Sequence, residues 1–143
     1  MKTYEIIEHT ADIGIRAYGD SFRDLLIHAA MGMFHIITDG GVCAPSGKSE
    51  RSAQIRIQAE NDQELFLAWL RELLFIFSTQ KLIINEMNFS RLTPRELEAE
   101  VGGYVMDPDT EDCGCEIKAV TYHLFEMKGS DAGGWTAQVI FDI

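Results

Sequence analysis

The chain has 143 residues, the size of one ordinary domain, so residues 1–143 read as a single domain and a cleft between two large domains is not expected. Lys and Arg total 12 against 23 Asp and Glu, a net charge of -11. That balance argues against direct binding to a phosphate backbone, where basic side chains must replace released counterions, and suits a basic protein partner. The three cysteines, Cys43, Cys113 and Cys115, leave one unpaired in any bridging scheme, as in a reducing compartment. No apolar leader opens the sequence, and its longest apolar run, residues 65–70, stops at Arg71, so a cytoplasmic protein without a membrane partner is expected.

Residues 2–7 and 13–18 are rich in Ile and Tyr and alternate imperfectly, the pattern of two short strands flanking His9-Thr10-Ala11-Asp12. Ser21 with Asp24 three residues on resembles a capping box. Phe22, Leu25, Leu26, Ala29, Ala30, Met33, Phe34 and Ile37 then keep helical spacing until Asp39-Gly40-Gly41. Residues 54–59 alternate as a strand, and Asn61 with Glu64 repeats the capping logic before a second helix. Its main stripe is Phe66, Trp69, Leu70, Leu73, Leu74 and Phe77, while Leu65, Leu67, Phe75 and Ile76 occupy other faces. A helix apolar nearly all round is buried on more than one side.

From residue 82 the period changes to two, and residues 82–92 and 96–104 read as a hairpin turning at Thr93-Pro94-Arg95. Leu97, Ala99 and Val101 would face inward, with Glu96, Glu98 and Glu100 outward, where their charge would also guard a sheet edge. Residues 107–115 form a loop, and residues 117–127 and 135–143 read as strands joined by Gly129-Ser130-Asp131-Ala132-Gly133-Gly134. The expected architecture is an α+β two-layer sandwich, two main helices on one face of a largely antiparallel or mixed sheet of about seven strands.

Several motifs imitate chemistry without its full pattern. Ala44-Pro45-Ser46-Gly47-Lys48-Ser49 resembles the end of a P-loop, but Val42 stands where the first glycine belongs, and a helix precedes the segment instead of following it. Asp107, Asp109, Glu111 and Asp112 suggest a calcium loop, but Asp112 and Lys118 occupy the places of its required glycine and glutamate. Cys113-Gly114-Cys115 lacks the second close pair that zinc normally takes. His9, His28, His35 and His123 accompany no nucleophile elbow, and His28 and His35 sit beside the apolar stripe of the first helix, where packing or rim roles fit.

One constellation carries more. Asp12 near the start, and Asp142 and Ile143 at the finish, both adjoin strands. If those strands meet, Asp12, Asp142 and the terminal carboxylate of Ile143 make a hard-oxygen site suited to Mg²⁺, Mn²⁺ or Ca²⁺. Neighbouring anions repel, so a bound cation, Lys118 or Arg16 must compensate them. From the residues alone a plainer account also stands: Asp12 bonds a turn amide, and the tail frays in water.

Five motifs in order resemble the archease family along nearly the whole chain. They are Glu8-His9-Thr10-Ala11-Asp12-Ile13-Gly14-Ile15; Ala29-Ala30-Met31-Gly32-Met33-Phe34; Asp62-Gln63-Glu64-Leu65 with Trp69-Leu70-Arg71-Glu72-Leu73-Leu74; Ile117-Lys118-Ala119-Val120-Thr121-Tyr122-His123; and Val139-Ile140-Phe141-Asp142-Ile143. Archeases are small cytoplasmic proteins that activate the GTP-dependent tRNA-splicing RNA ligase, promoting guanylylation of its active-site histidine and repeated turnover. The resemblance therefore implies an accessory factor instead of an enzyme, with the ligase as partner and RNA contacted only through it. It also implies a divalent-metal site, with calcium, magnesium or manganese, on Asp12, Asp142 and Ile143, and a functional lysine at Lys118; His9 takes no ligand role. The acidic, cysteine-bearing residues 106–115 depart from the more basic or His-containing approach of relatives, which bears on the partner contacts of that loop. Two rival functions are a general protein chaperone or interaction module for nucleic-acid-processing proteins, and a metal-dependent phosphohydrolase using Asp12, Asp142 and His9. The phosphohydrolase lacks the further ligands of a two-metal enzyme.

Overall fold

Helix starts in this protein are set by side chains that close the first turn. In the computed structural model, which describes residues 2–8, 12–38, 50–106, 116–130 and 132–143, the Ser21 hydroxyl accepts the Asp24 N–H at 3.1 Å and the Asn61 carboxamide accepts the Glu64 N–H at 2.9 Å. These caps open α1 (Phe22–Thr38) and α2 (Asp62–Gln80) as the sequence predicts. At its far end α2 stops on Lys81, whose φ of 57° is left-handed and whose N–H returns to the Phe77 carbonyl at 2.7 Å.

The strands are β1 (Tyr4–Glu8), β2 (Ile13–Gly19), β3 (Glu50–Gln58), β4 (Leu82–Leu92), β5 (Glu96–Val105), β6 (Ala119–Val120), β7 (Glu126–Ser130) and β8 (Gly134–Asp142). They divide into two sheets, one ordered β1-β2-β8-β6 with β7 also on β8, the other ordered β3-β5-β4, and the pairings are antiparallel. The expected α+β class with helices on antiparallel sheet holds. The strand predicted over residues 117–127 is instead two, β6 and β7, separated by a turn in which the Phe125 N–H donates to the Tyr122 carbonyl at 3.0 Å and Leu124 takes a φ of 54°. β3 begins earlier than residue 54, because Glu50 to Ala53, weak in apolar signal, still pair with Tyr104 to Val101 of β5.

The glutamate stripe of β5 needs correcting. Leu97, Ala99 and Val101 are buried as predicted, but β5 is the central strand of its sheet, so its glutamates guard no edge. They are met across the rungs: Gln54 donates to Glu100 at 2.8 Å, Arg56 to Glu98 at 2.8 Å, and Arg91 to Glu96 at 2.5 Å. Gly103 in the same strand lies where β4 bulges between Ile84 and Glu86; a Cβ there would stand 1.7 Å from the Ile83 carbonyl oxygen.

Both helices touch both sheets. α1 packs on β1, β2, β8 and β4, and α2 on β3, β4, β5 and β6. This accounts for the nearly all-round apolarity of α2, whose Leu65, Phe66, Leu67, Trp69, Leu70, Leu73 and Ile76 are buried on several faces; Phe75 is the exception at 61% exposure. Trp69, fully buried between the helices, donates its indole N–H to the Leu26 carbonyl at 3.0 Å.

Trp69→Ala should lower the unfolding free energy by about 3–5 kcal/mol through the cavity it leaves. Asn61→Ala should cost about 1 kcal/mol through the lost cap. Urea midpoints should therefore order wild type above Asn61→Ala above Trp69→Ala, and equal losses in the two variants would refute the central place given to Trp69.

Candidate functional site

β2 runs antiparallel to β8 from Ile13↔Phe141 to Gly19↔Trp135. Ile15 and Ala17 are buried on the helix-facing side with Val139 and Ala137, which leaves Arg16 and Gln138 on the opposite, outer face. The pairing ends at Ile13↔Phe141, and Asp12 and Asp142 are the residues that adjoin that last pair on the two segments, with the same parity as the outer-facing Arg16 and Gln138. On the other flank of β8, Ala119 pairs with Asp142 and the Lys118 N–H donates to the Asp142 carbonyl at 2.7 Å. β2, the second strand, thus meets β8, the last of the described strands, and Asp12, Asp142, Ile143 and Lys118 lie toward one end of that ladder.

They do not share it equally. Ala119 is the residue beside Asp142 on the outer face, and alternation starts Lys118 toward the other face, as it does Ile143. Lys118 and Asp142 are exposed and Asp12 is half-buried. Among the described residues the side chains of Asp12, Asp142 and Lys118 make no hydrogen bond or ion pair. Carboxylate oxygens are the donors a hard divalent ion takes. Among the described residues no group of three or more His, Cys, Asp or Glu is placed to hold a metal ion.

Arg16 does not compensate the pair. It is committed four residues further along β2, where its guanidinium donates to Glu5 at 3.3 Å and to Gln138 at 2.6 Å. The Tyr18 hydroxyl donates to the same Glu5 oxygen at 2.7 Å. That bond, followed by those from Lys2 and Arg16, holds the Glu5 carboxyl below the ordinary carboxylate range, and the same bond pushes the Tyr18 phenol above its ordinary value.

Next to the Ile13↔Phe141 pair lies a steric lock. A Cβ on Gly14 would stand 2.4 Å from the Val139 carbonyl oxygen and 2.7 Å from Ile140 Cδ1, so only glycine lets Ile140 lie over β2. Ile140 is 2% exposed although it lies on the outer face, and it fixes the ladder near Asp12 and Asp142. Sequence reading passed over this device; its one signal was a glycine inside a strand. His28 and His35 have the predicted packing roles, bonded through Nδ1 to the Tyr18 carbonyl at 2.5 Å and the Tyr4 hydroxyl at 2.7 Å. His9, Cys43, Cys113, Cys115, the P-loop-like residues 44–49 and the acidic residues 107–115 lie outside the described residues.

Two helices packed on antiparallel sheets, with the second strand paired to the eighth, define the class of small α+β protein to which this one belongs. Residues 4–143 match the family model described as the Archease protein family (MTH1598/TM1083). The chain belongs to the archease family. It is similar to the protein archease of Methanosarcina mazei, 34% identical over 99% of this chain and 97% of the relative, and to that of Pyrococcus abyssi, 31% identical over 100% of both. Its fold is similar to the solution structure of Methanobacterium thermoautotrophicum protein 1598, with a TM-score of 0.73, 31% identity and 100% of both chains covered. The crystal structure of an archease from Thermotoga maritima shares the fold at a TM-score of 0.64 and 23% identity, over 100% of this chain and 98% of that one. Among the described residues no helix is long and apolar enough to cross a membrane.

Gly14→Ala should force β2 and β8 apart and lower stability by about 1–3 kcal/mol, the usual range for overpacking. A stability within error of wild type would show that the lock does not exist. A second test uses pH. Because the Glu5 carboxyl is held below its ordinary value, its ionisation favours the folded state above about pH 4.3, the unfolded value, and this support is lost as pH falls through the folded value. Tyr18→Phe removes the largest cause, so the drop in urea midpoint between pH 6 and pH 3 should become shallower than in wild type; an identical drop counts against the assignment.

Proposed function

We propose that this protein is an accessory factor of the GTP-dependent tRNA-splicing RNA ligase, promoting guanylylation of the ligase and its repeated turnover without being a ligase itself. Membership of the archease family supports the reading, and the single structural observation that carries it is the antiparallel β2–β8 ladder, whose last pair, Ile13↔Phe141, adjoins both Asp12 and Asp142. In this reading Asp12, Asp142 and the carboxylate of Ile143 hold Ca²⁺, Mg²⁺ or Mn²⁺. A divalent ion supplies charge stabilisation and positioning to phosphoryl-type transfer, chemistry that needs little else from a helper protein. Lys118 orients the carboxylates or meets a phosphate. The net charge of -11 suits a ligase that must be basic to hold RNA, so RNA is contacted through the ligase, in the cytoplasm.

A wider reading, a general protein chaperone or interaction module, draws support from the Thermotoga maritima structure, described as that of an archease and "possible chaperone", and from exposed Met31, Phe75, Tyr122 and Leu124. Suppression of aggregation of unrelated proteins that survives Asp12→Ala and Asp142→Ala would favour it over ligase activation.

In multiple-turnover RNA joining with the cognate ligase, wild type should raise guanylylation and turnover. Asp12→Ala, Asp142→Ala and Lys118→Ala should lower the stimulation by about 10–100-fold, the usual cost of disturbing the groups around a metal. No stimulation by folded wild type would sink the reading. Residues added after Ile143 should weaken divalent binding while the fold stays intact; undiminished affinity would remove Ile143 from the ligand set.

A further inference from the structure

Large apolar side chains left in water are unremarkable when scattered and informative when they gather. Among the described residues the exposed large hydrophobics are Met31, Phe75, Tyr122, Leu124 and Ile143. Tyr122 and Leu124 sit in the turn between β6 and β7. α2 runs against this stretch: Phe66 stacks on Phe125 with centroids 6.0 Å apart, Glu64 accepts the Tyr122 hydroxyl at 2.9 Å, and the Arg71 guanidinium lies 4.8 Å from the Tyr122 ring centroid. Phe75 is one helical turn past Arg71 on the same stripe, which brings it to the same flank. Ile143 ends β8, one rung beyond the Ala119↔Asp142 pair.

The turn is held in shape. Leu124 is a leucine at a φ of 54°, a region an L side chain rarely adopts, and yet it stays 52% exposed. Neighbours fix the backbone: Gln138 donates to the Leu124 carbonyl at 3.0 Å, and Thr121 donates both its N–H and its hydroxyl to the Ile140 carbonyl, at 3.1 and 2.8 Å. A strained residue that displays an apolar side chain on a fixed backbone is preorganised for association, since little ordering remains to be done on contact.

We infer that this β6 edge, centred on Leu124 and Tyr122 with Phe75 and Ile143 beside them, is the surface by which the protein docks on its RNA-joining partner; the inference rests on the function proposed above. The turn belongs to the same ladder as the aspartates, since β6 and β7 both pair with β8. From Lys118 to Leu124 the chain spans at most about 20 Å. One interface of ordinary size, about 800 Å² per partner, covers both. Tyr122 and Leu124 make an apolar centre, and Glu64, Arg71, Glu126 and Lys128 supply charge around it, the usual anatomy of an interface. The net charge of -11 favours a basic, RNA-handling protein as the occupant.

The test is affinity for the purified cognate ligase, measured by titration calorimetry beside guanylylation. Leu124→Asp and Phe75→Asp should weaken Kd by about tenfold or more, as loss of a central anchor does. Leu124→Gly removes the side chain but suits the left-handed backbone, so it should melt no lower than wild type and still bind several-fold more weakly. Met31→Asp, away from the patch, should bind as wild type. Wild-type affinity in Leu124→Asp and Phe75→Asp, with wild type binding and stimulating, overturns the docking surface and leaves the proposed function standing. No binding by wild type overturns both.

Discussion

The ladder between β2 and β8 is the constraint on which the rest depends. It pairs residues near the two ends of the sequence, and its register decides at once which side chains enter the core and where the candidate carboxylates lie. Because side chains alternate along a strand, a slip of β2 by one residue would turn Ile15 and Ala17 out into water and carry Asp12 inward, so burial defends the register that the candidate site needs. The Gly14–Ile140 lock adds a steric check near the aspartates.

Around that ladder the helices do a second job. Neither sheet is covered by its own helix; α1 and α2 each bridge both, and the buried Trp69 joins helix to helix. The outer faces, free of helix, carry the charge: the Glu5–Arg16–Tyr18 cluster on one sheet and the glutamates of β5 with their arginine and glutamine partners on the other. Such exposed pairs contribute little to stability one by one, and the fold rests on the apolar layer behind them.

Much of this was legible in the residues. Both helix caps, both apolar stripes and the β4–β5 hairpin follow from local patterns, because capping and periodicity are short-range physics. What escaped was set at long range. The place of β5 at the centre of its sheet depends on β3, and Glu96, Glu98 and Glu100 look the same from the sequence whether they face an edge or a neighbouring strand. The break between β6 and β7 turns on a leucine at positive φ, and the end of α2 on a lysine at positive φ, positions where the sequence carries no glycine or asparagine to announce them. At the candidate site, residue types suggested Asp12 and Asp142, whereas their places beside the last β2–β8 pair, the commitment of Arg16 elsewhere and the divergence of Lys118 from the aspartate face belong to register alone.

The pairing of β2 with β8 also has a temporal side. A β2 strand emerging from a ribosome has only β1 to pair with on this sheet, and the flank that will receive β8 waits while more than a hundred further residues are made. Contacts so distant along the chain close slowly and late, after local helices and hairpins have formed. The segments that carry Asp12 and Asp142 are therefore brought together only after the elements between them.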